Sequence, residues 1–106
     1  MITASLRFAV LLAGASALAG VAADAPKSTV VIDGTRYEQP TLTVKRGTTV
    51  SFVNKDPFPH TVTAPGKFDS KEIGAGKTWK YKATKAGTYD YICTLHPNMK
   101  GRLVVE

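Results

Sequence analysis

Sulfur and imidazole are scarce in this chain. Its 106 residues include one cysteine (Cys93), two histidines (His60 and His96) and two methionines (Met1 and Met99). A lone thiol excludes an internal disulfide, the usual staple of small domains outside the cytoplasm. Long apolar runs are also missing. The most apolar stretch, "FAVLLAGASALAG" (Phe8–Gly20), falls short of the roughly 20 residues a membrane span needs. Acidic residues are few, 8 against 14 Lys and Arg, giving a net charge of +6. The bases are nevertheless scattered, with no run of four, which argues against a nucleic-acid track; a solvated basic surface is the plainer reading, and attraction to an acidic protein partner is the functional alternative. No Ser–His–Asp set or carboxylate pair offers a hydrolytic centre.

The Phe8–Gly20 run follows Arg7 and leads to "VAA" before Asp24. A basic start, an apolar middle and small residues at a cleavage point are the parts of a secretory signal. Residues 1–23 are therefore expected to be a signal peptide, cut after Ala23, and 24–106 a single exported, periplasmic domain. Removing Arg7 leaves 13 basic and 8 acidic residues, a charge of +5. A domain of about 83 residues is marginal without a staple. With no disulfide possible, a bound metal is the natural substitute.

Beyond residue 27 the chain alternates apolar and polar residues in short runs separated by Gly, Pro, Asn and Asp. Strands are expected at Ser28–Asp33, Thr41–Val44, Thr48–Asn54, His60–Thr63, Lys77–Ala83, Gly87–Cys93 and Arg102–Val105. No helical period of useful length occurs there. Ala64–Gly76 reads as a surface loop with at most a helical turn at Ser70–Ile73. Seven or eight short strands in one domain make an all-β, two-sheet sandwich.

The scarce residues are not scattered. Cys93, His96 and Met99 fall within "YICTLHPNMKG" (Tyr91–Gly101), at the end of an expected strand. His60 closes the proline-rich "DPFPH". A buried structural cysteine or an intermolecular disulfide accounts for Cys93 alone, but for neither His96 nor Met99. Two imidazoles, a thiolate and a thioether make a soft site, the His₂Cys-plus-Met set of blue copper centres. Zinc is the second choice, because Met is not among its structural ligands. Pro57, Pro59 and Pro97 stiffen the approaches to both histidines, and Gly101 is expected to permit a sharp exit into the last strand.

These segments resemble the cupredoxins, the small blue copper proteins, and most of all their amicyanin branch. "GTYDYICTLHPNMKG" is similar to the family's C-terminal copper loop, and "VSFVNKDPFPHTV" to the segment bearing its first histidine. The resemblance spans about Ser28 to Glu106. It implies a Greek-key β-sandwich with one copper, cycling between Cu(I) and Cu(II), bound by His60, Cys93, His96 and Met99. It also implies electron exchange at an apolar patch around His96, supplied here by Pro57, Phe58, Pro59, Leu95 and Pro97. The partners it implies are a periplasmic dehydrogenase and a c-type cytochrome, with the carrier a monomer. In the family, asparagine follows the first histidine; its backbone N–H bonds the thiolate and its side chain ties the ligand loops. Here that residue is Thr61, and Ile92 precedes the cysteine where some relatives carry an aromatic or histidine. A copper chaperone or store is the alternative function, though such proteins are rich in Met or His. A copper enzyme would need a second cluster with more histidines than this chain holds.

Overall fold

The computed structural model describes residues 28–106; the expected signal peptide, residues 1–23, lies outside them. Eight strands form two sheets: β1 (Thr29–Ile32), β2 (Thr41–Val44), β3 (Thr48–Asn54), β4 (Thr63–Ala64), β5 (Phe68–Asp69), β6 (Thr78–Ala83), β7 (Gly87–Cys93) and β8 (His96–Val105). One sheet has the order β1-β3-β6 and the other β2-β8-β7-β4-β5. The described residues contain no helix; Ser70–Ile73, expected as a possible helical turn, is irregular, with Lys71 at a φ of 59° and only Ile73 in a bridge.

Alternating patterns decide which side of each strand goes inside. Val30 and Ile32 of β1 and Val50 and Phe52 of β3 point inward from the three-stranded sheet. Leu42, Val44, Tyr89, Tyr91, Leu103 and Val105 meet them from the other. Burying a side chain the size of Phe52 is worth about 1.5–3 kcal/mol. Parallel neighbours need a crossover, and the chain supplies one by changing sheet at each of its first steps. β1 and β3 are parallel because β2 lies between them in the opposite sheet.

Trp79 and Tyr81, on the inner face of edge strand β6, are half-buried. Phe68 of the short strand β5 packs on them, with ring centroids 5.9 and 4.4 Å away. This contact closes one side of the sandwich and makes a short strand of Phe68–Asp69, within the segment expected to be a surface loop. β8 also starts earlier than expected, at His96 rather than Arg102. Gly101 therefore lies within a strand. Its role is close packing rather than a sharp exit, since a Cβ there would come within 2.5 Å of the Tyr91 ring.

Candidate metal centre

Cys93 ends β7 and His96 begins β8, joined by a tight turn at Thr94 and Leu95. The two residues pair directly, while Ile92 pairs with Lys100. Pro97, Asn98 and Met99 therefore have no partner on β7 and bulge out of the ladder. Proline has no N–H to offer a ladder, so an unpaired arch suits it. The arch returns Met99 inward, where it is buried, while His96 stays half-buried at the rim.

His60 comes from the other side. It stands just before β4, outside the regular strand expected from the sequence, in an isolated bridge with Ile73. Backbone bonds run both ways between them, at 3.2 and 2.7 Å. Buried Asn54 locks this connection: its Nδ2 donates to the carbonyls of Phe58 and Ile73 at 2.9 Å each, and its Oδ1 accepts the N–H of Asp56. The loop before β6 carries no donor atom of the cluster, yet through Ile73 it helps seat His60.

The Nδ1 atoms of His60 and His96 each lie 3.7 Å from Cys93 Sγ, and the three donor atoms all fall within 4.8 Å of one another. Metal bonds of about 2.0 Å to nitrogen and 2.3 Å to sulfur separate N and S by roughly 3.5–3.8 Å at tetrahedral to trigonal angles. One ion thus fits between these donors without rearrangement. The set is nitrogen and sulfur only: the carboxylate of Asp56 faces Nε2 of His60, the far side of the ring from Cys93. Soft donors of this kind suit copper, and Met99, buried and lining the same recess as His96, carries a thioether, which is not among the ligands of structural zinc.

Hydrogen bonds fix the surroundings. The Thr61 N–H donates to Cys93 Sγ at 3.3 Å. Its hydroxyl accepts the Thr94 N–H at 2.9 Å, which supplies the tie between ligand segments that an asparagine gives in relatives. Tyr37 donates its hydroxyl to the Thr61 carbonyl at 2.6 Å. Burial pushes the Asp56 carboxyl up, but the N–H groups of Thr35 and Gly34 and the His60 ring outweigh it and hold the group below the usual carboxylate range. Asp56, Gly34 and Thr35 escaped the sequence reading. The only local signal was an acid four residues before His60 and a "DG" turn pair at Asp33–Gly34.

At the surface, Phe58 and Leu95 are 41% and 44% exposed, the two large hydrophobic residues left open among those described. The Phe58 ring lies 5.2 Å from that of His60 and 5.9 Å from that of His96. A recess beside them is lined by Thr35, Leu95, His96, Pro97, Asn98 and Met99. A wider groove over β7 and β8, flanked by the exposed Arg102–Asp90 ion pair, lies elsewhere and holds none of the cluster.

A two-sheet sandwich with a buried nitrogen–sulfur cluster at one end defines the class of small copper proteins. A family model described as a cupredoxin-like domain matches residues 3–105, and the chain belongs to that family. Within it the chain is most similar to amicyanins. It is 37% identical to amicyanin-alpha of Methylorubrum extorquens over 96% of this chain and 98% of the relative. A solved structure of an oxidised amicyanin point mutant aligns with TM-score 0.71 at 35% identity, over 80% of this chain and 89% of that one. The copper-containing nitrite reductase of Thermus scotoductus aligns with TM-score 0.69 at 33% identity, over 77% of this chain but 22% of that larger one.

Proposed function

We propose that this chain is an exported, periplasmic carrier of single electrons, holding one copper through His60, Cys93, His96 and Met99. The convergence of two imidazole nitrogens and a thiol sulfur within 4.8 Å carries this function. Bound copper supplies a one-electron couple between Cu(II) and Cu(I). The protein's part is to hold the donors still, so that little reorganisation accompanies each transfer. His60 is clamped by its bridge to Ile73, Cys93 and His96 by one tight hairpin, and the two segments by Thr61. His96 at the rim, flanked by Phe58 and Leu95, gives electrons their way in and out through an apolar contact surface.

Electron carriage rather than catalysis suits the inventory. Both histidines serve one site, which leaves none for the second copper cluster of a reductase or oxidase. The chain aligns to only about a fifth of the nitrite reductase, consistent with a shared domain rather than a shared activity. Its redox partners are proteins, one donor and one acceptor; a periplasmic dehydrogenase and a c-type cytochrome are the pair we propose, with the carrier a monomer.

The test is colour and a reversible potential. The Cu(II) protein is expected to absorb strongly toward the red end of the visible range, from thiolate-to-copper charge transfer. Cys93→Ser abolishes this band. A colourless Cu(II) complex of the wild type sinks the assignment. A blue protein with no reversible one-electron wave supports the storage alternative instead.

A further inference from the structure

We infer that Asp56 is a positioning residue for this centre: its carboxylate selects the tautomer of His60 and biases the site toward the more positive oxidation state. The inference rests on the metal site proposed above.

His60 is fully buried and Asp56 is 5% exposed, so neither can exchange its partner for bulk water. Asp56 Oδ2 lies 2.7 Å from His60 Nε2. A carboxylate oxygen only accepts, so Nε2 carries the proton and Nδ1, 3.7 Å from Cys93 Sγ, presents its lone pair to the cluster. The carboxylate is itself held. Oδ1 accepts the Gly34 N–H at 2.8 Å and Oδ2 the Thr35 N–H at 2.9 Å. Gly34 and Thr35 have φ of 67° and 58°, the left-handed conformation that turns successive N–H groups toward one anion. A non-glycine residue in that region is costly to place. The strain at Thr35 is thus maintained by what the turn grips. Thr35 also lines the recess with His96 and Met99, so one short turn touches both ligand segments.

The two imidazoles consequently differ. His60 is backed by a buried carboxylate. His96 lies at the rim against Phe58, and no described side chain hydrogen-bonds its Nε2. A negative charge behind one imidazole raises its basicity as a ligand and favours Cu(II) over Cu(I). Asp56→Asn removes the charge and offers one acceptor oxygen where two now accept three donors.

The experiment has two arms, reported against Asp90→Asn, which removes a carboxylate from an exposed surface ion pair. In the first, nitrogen-15 NMR of metal-free and Cu(I)-loaded wild type is expected to show His60 protonated at Nε2, with a proton that exchanges slowly with solvent. This arm needs no variant, and its metal-free half needs no copper. An Nδ1-protonated His60 in the metal-free protein, or a fast-exchanging Nε2 proton, overturns the inference. In the second, voltammetry of Asp56→Asn is expected to show a Cu(II)-to-Cu(I) affinity ratio lower by about tenfold, a rise of about 59 mV for one electron. Asp90→Asn stays near wild type. Equal potentials for the two variants also overturn it. A wild type that binds no copper while the NMR signature holds counts against the proposed function, not against the Asp56–His60 pairing.

Discussion

The hydroxyl of Thr61 accepts the backbone N–H of Thr94 at 2.9 Å. One residue thereby holds both the Cys93 sulfur, to which its own N–H donates, and the backbone of the residue that follows Cys93. Thr61→Val keeps the backbone donor and the shape but leaves the Thr94 N–H without its acceptor. A loss of about 1–3 kcal/mol is expected, or roughly 4–8 °C in Tm per kcal/mol for a domain of this size. The visible band should persist, because the N–H to sulfur bond remains. Thermal melts of the copper-loaded variant decide this; an unchanged Tm shows the tie to be ornamental.

Gly101 and Tyr91 form a second coupled pair. A Cβ at Gly101 would lie 2.5 Å from two ring carbons of Tyr91. That ring is held edge-on by Tyr37 and Phe52, at 4.8 and 5.6 Å, and has nowhere to swing. Gly101→Ala should destabilise by about 1–3 kcal/mol or more. Combining it with Tyr91→Leu should recover part of the loss. Strictly additive effects in urea titrations of the four proteins would contradict the steric account.

Alkaline pH tests the buried tyrosines. Burial raises the hydroxyl pKa of both Tyr37 and Tyr91, with nearby Cys93 and Tyr91 adding to the effect at Tyr37. The folded chain keeps both protons at a pH where the unfolded chain has released them. Stability from these groups is therefore whole below about pH 10 and declines above it, by about 1.4 kcal/mol per pH unit per group. The Tyr91 hydroxyl is buried with no hydrogen-bond partner. Tyr91→Phe should thus cost little or nothing at pH 8 and flatten the alkaline decline by one group's share. Urea midpoints from pH 8 to 11 give the comparison, and identical slopes refute it.

The exposed pair at the rim addresses docking. Leu95→Glu places a charge in the apolar patch without touching the core, as Leu95 is 44% exposed. Electron transfer with a protein partner is expected to slow by about tenfold or more, the scale of a lost interface anchor. Transfer to a small inorganic oxidant should change far less. The net charge of +5 on residues 24–106 (13 basic, 8 acidic) adds a salt effect: rates with an acidic partner should fall as ionic strength rises. Stopped-flow traces with both oxidants separate docking from damage to the site.

How much of this was open to a reader of residues alone differs from place to place. Period-two alternation placed β2, β3 and β7 within a residue, because which face of a strand is buried is written in every second side chain. The spacing of Cys93, His96 and Met99 is equally local, and a chain with so few sulfur and imidazole groups left little choice of partners. Other features were out of reach. β5 is two residues long, too short to show a period, and exists because Phe68 finds Trp79 and Tyr81. The start of β8 depends on a register break opposite Cys93, which is a property of two strands and not of one.

The sequence by itself thus determined the fold class and the soft donor set, since both follow from residue type and short-range spacing. Tertiary structure decided how those donors are held. Thr61 meets Cys93 across 32 positions, and Asp56 meets Gly34 across 22. No local pattern specifies such pairs. They arise when the sandwich closes and each buried polar group must find a partner or leave the fold unsatisfied.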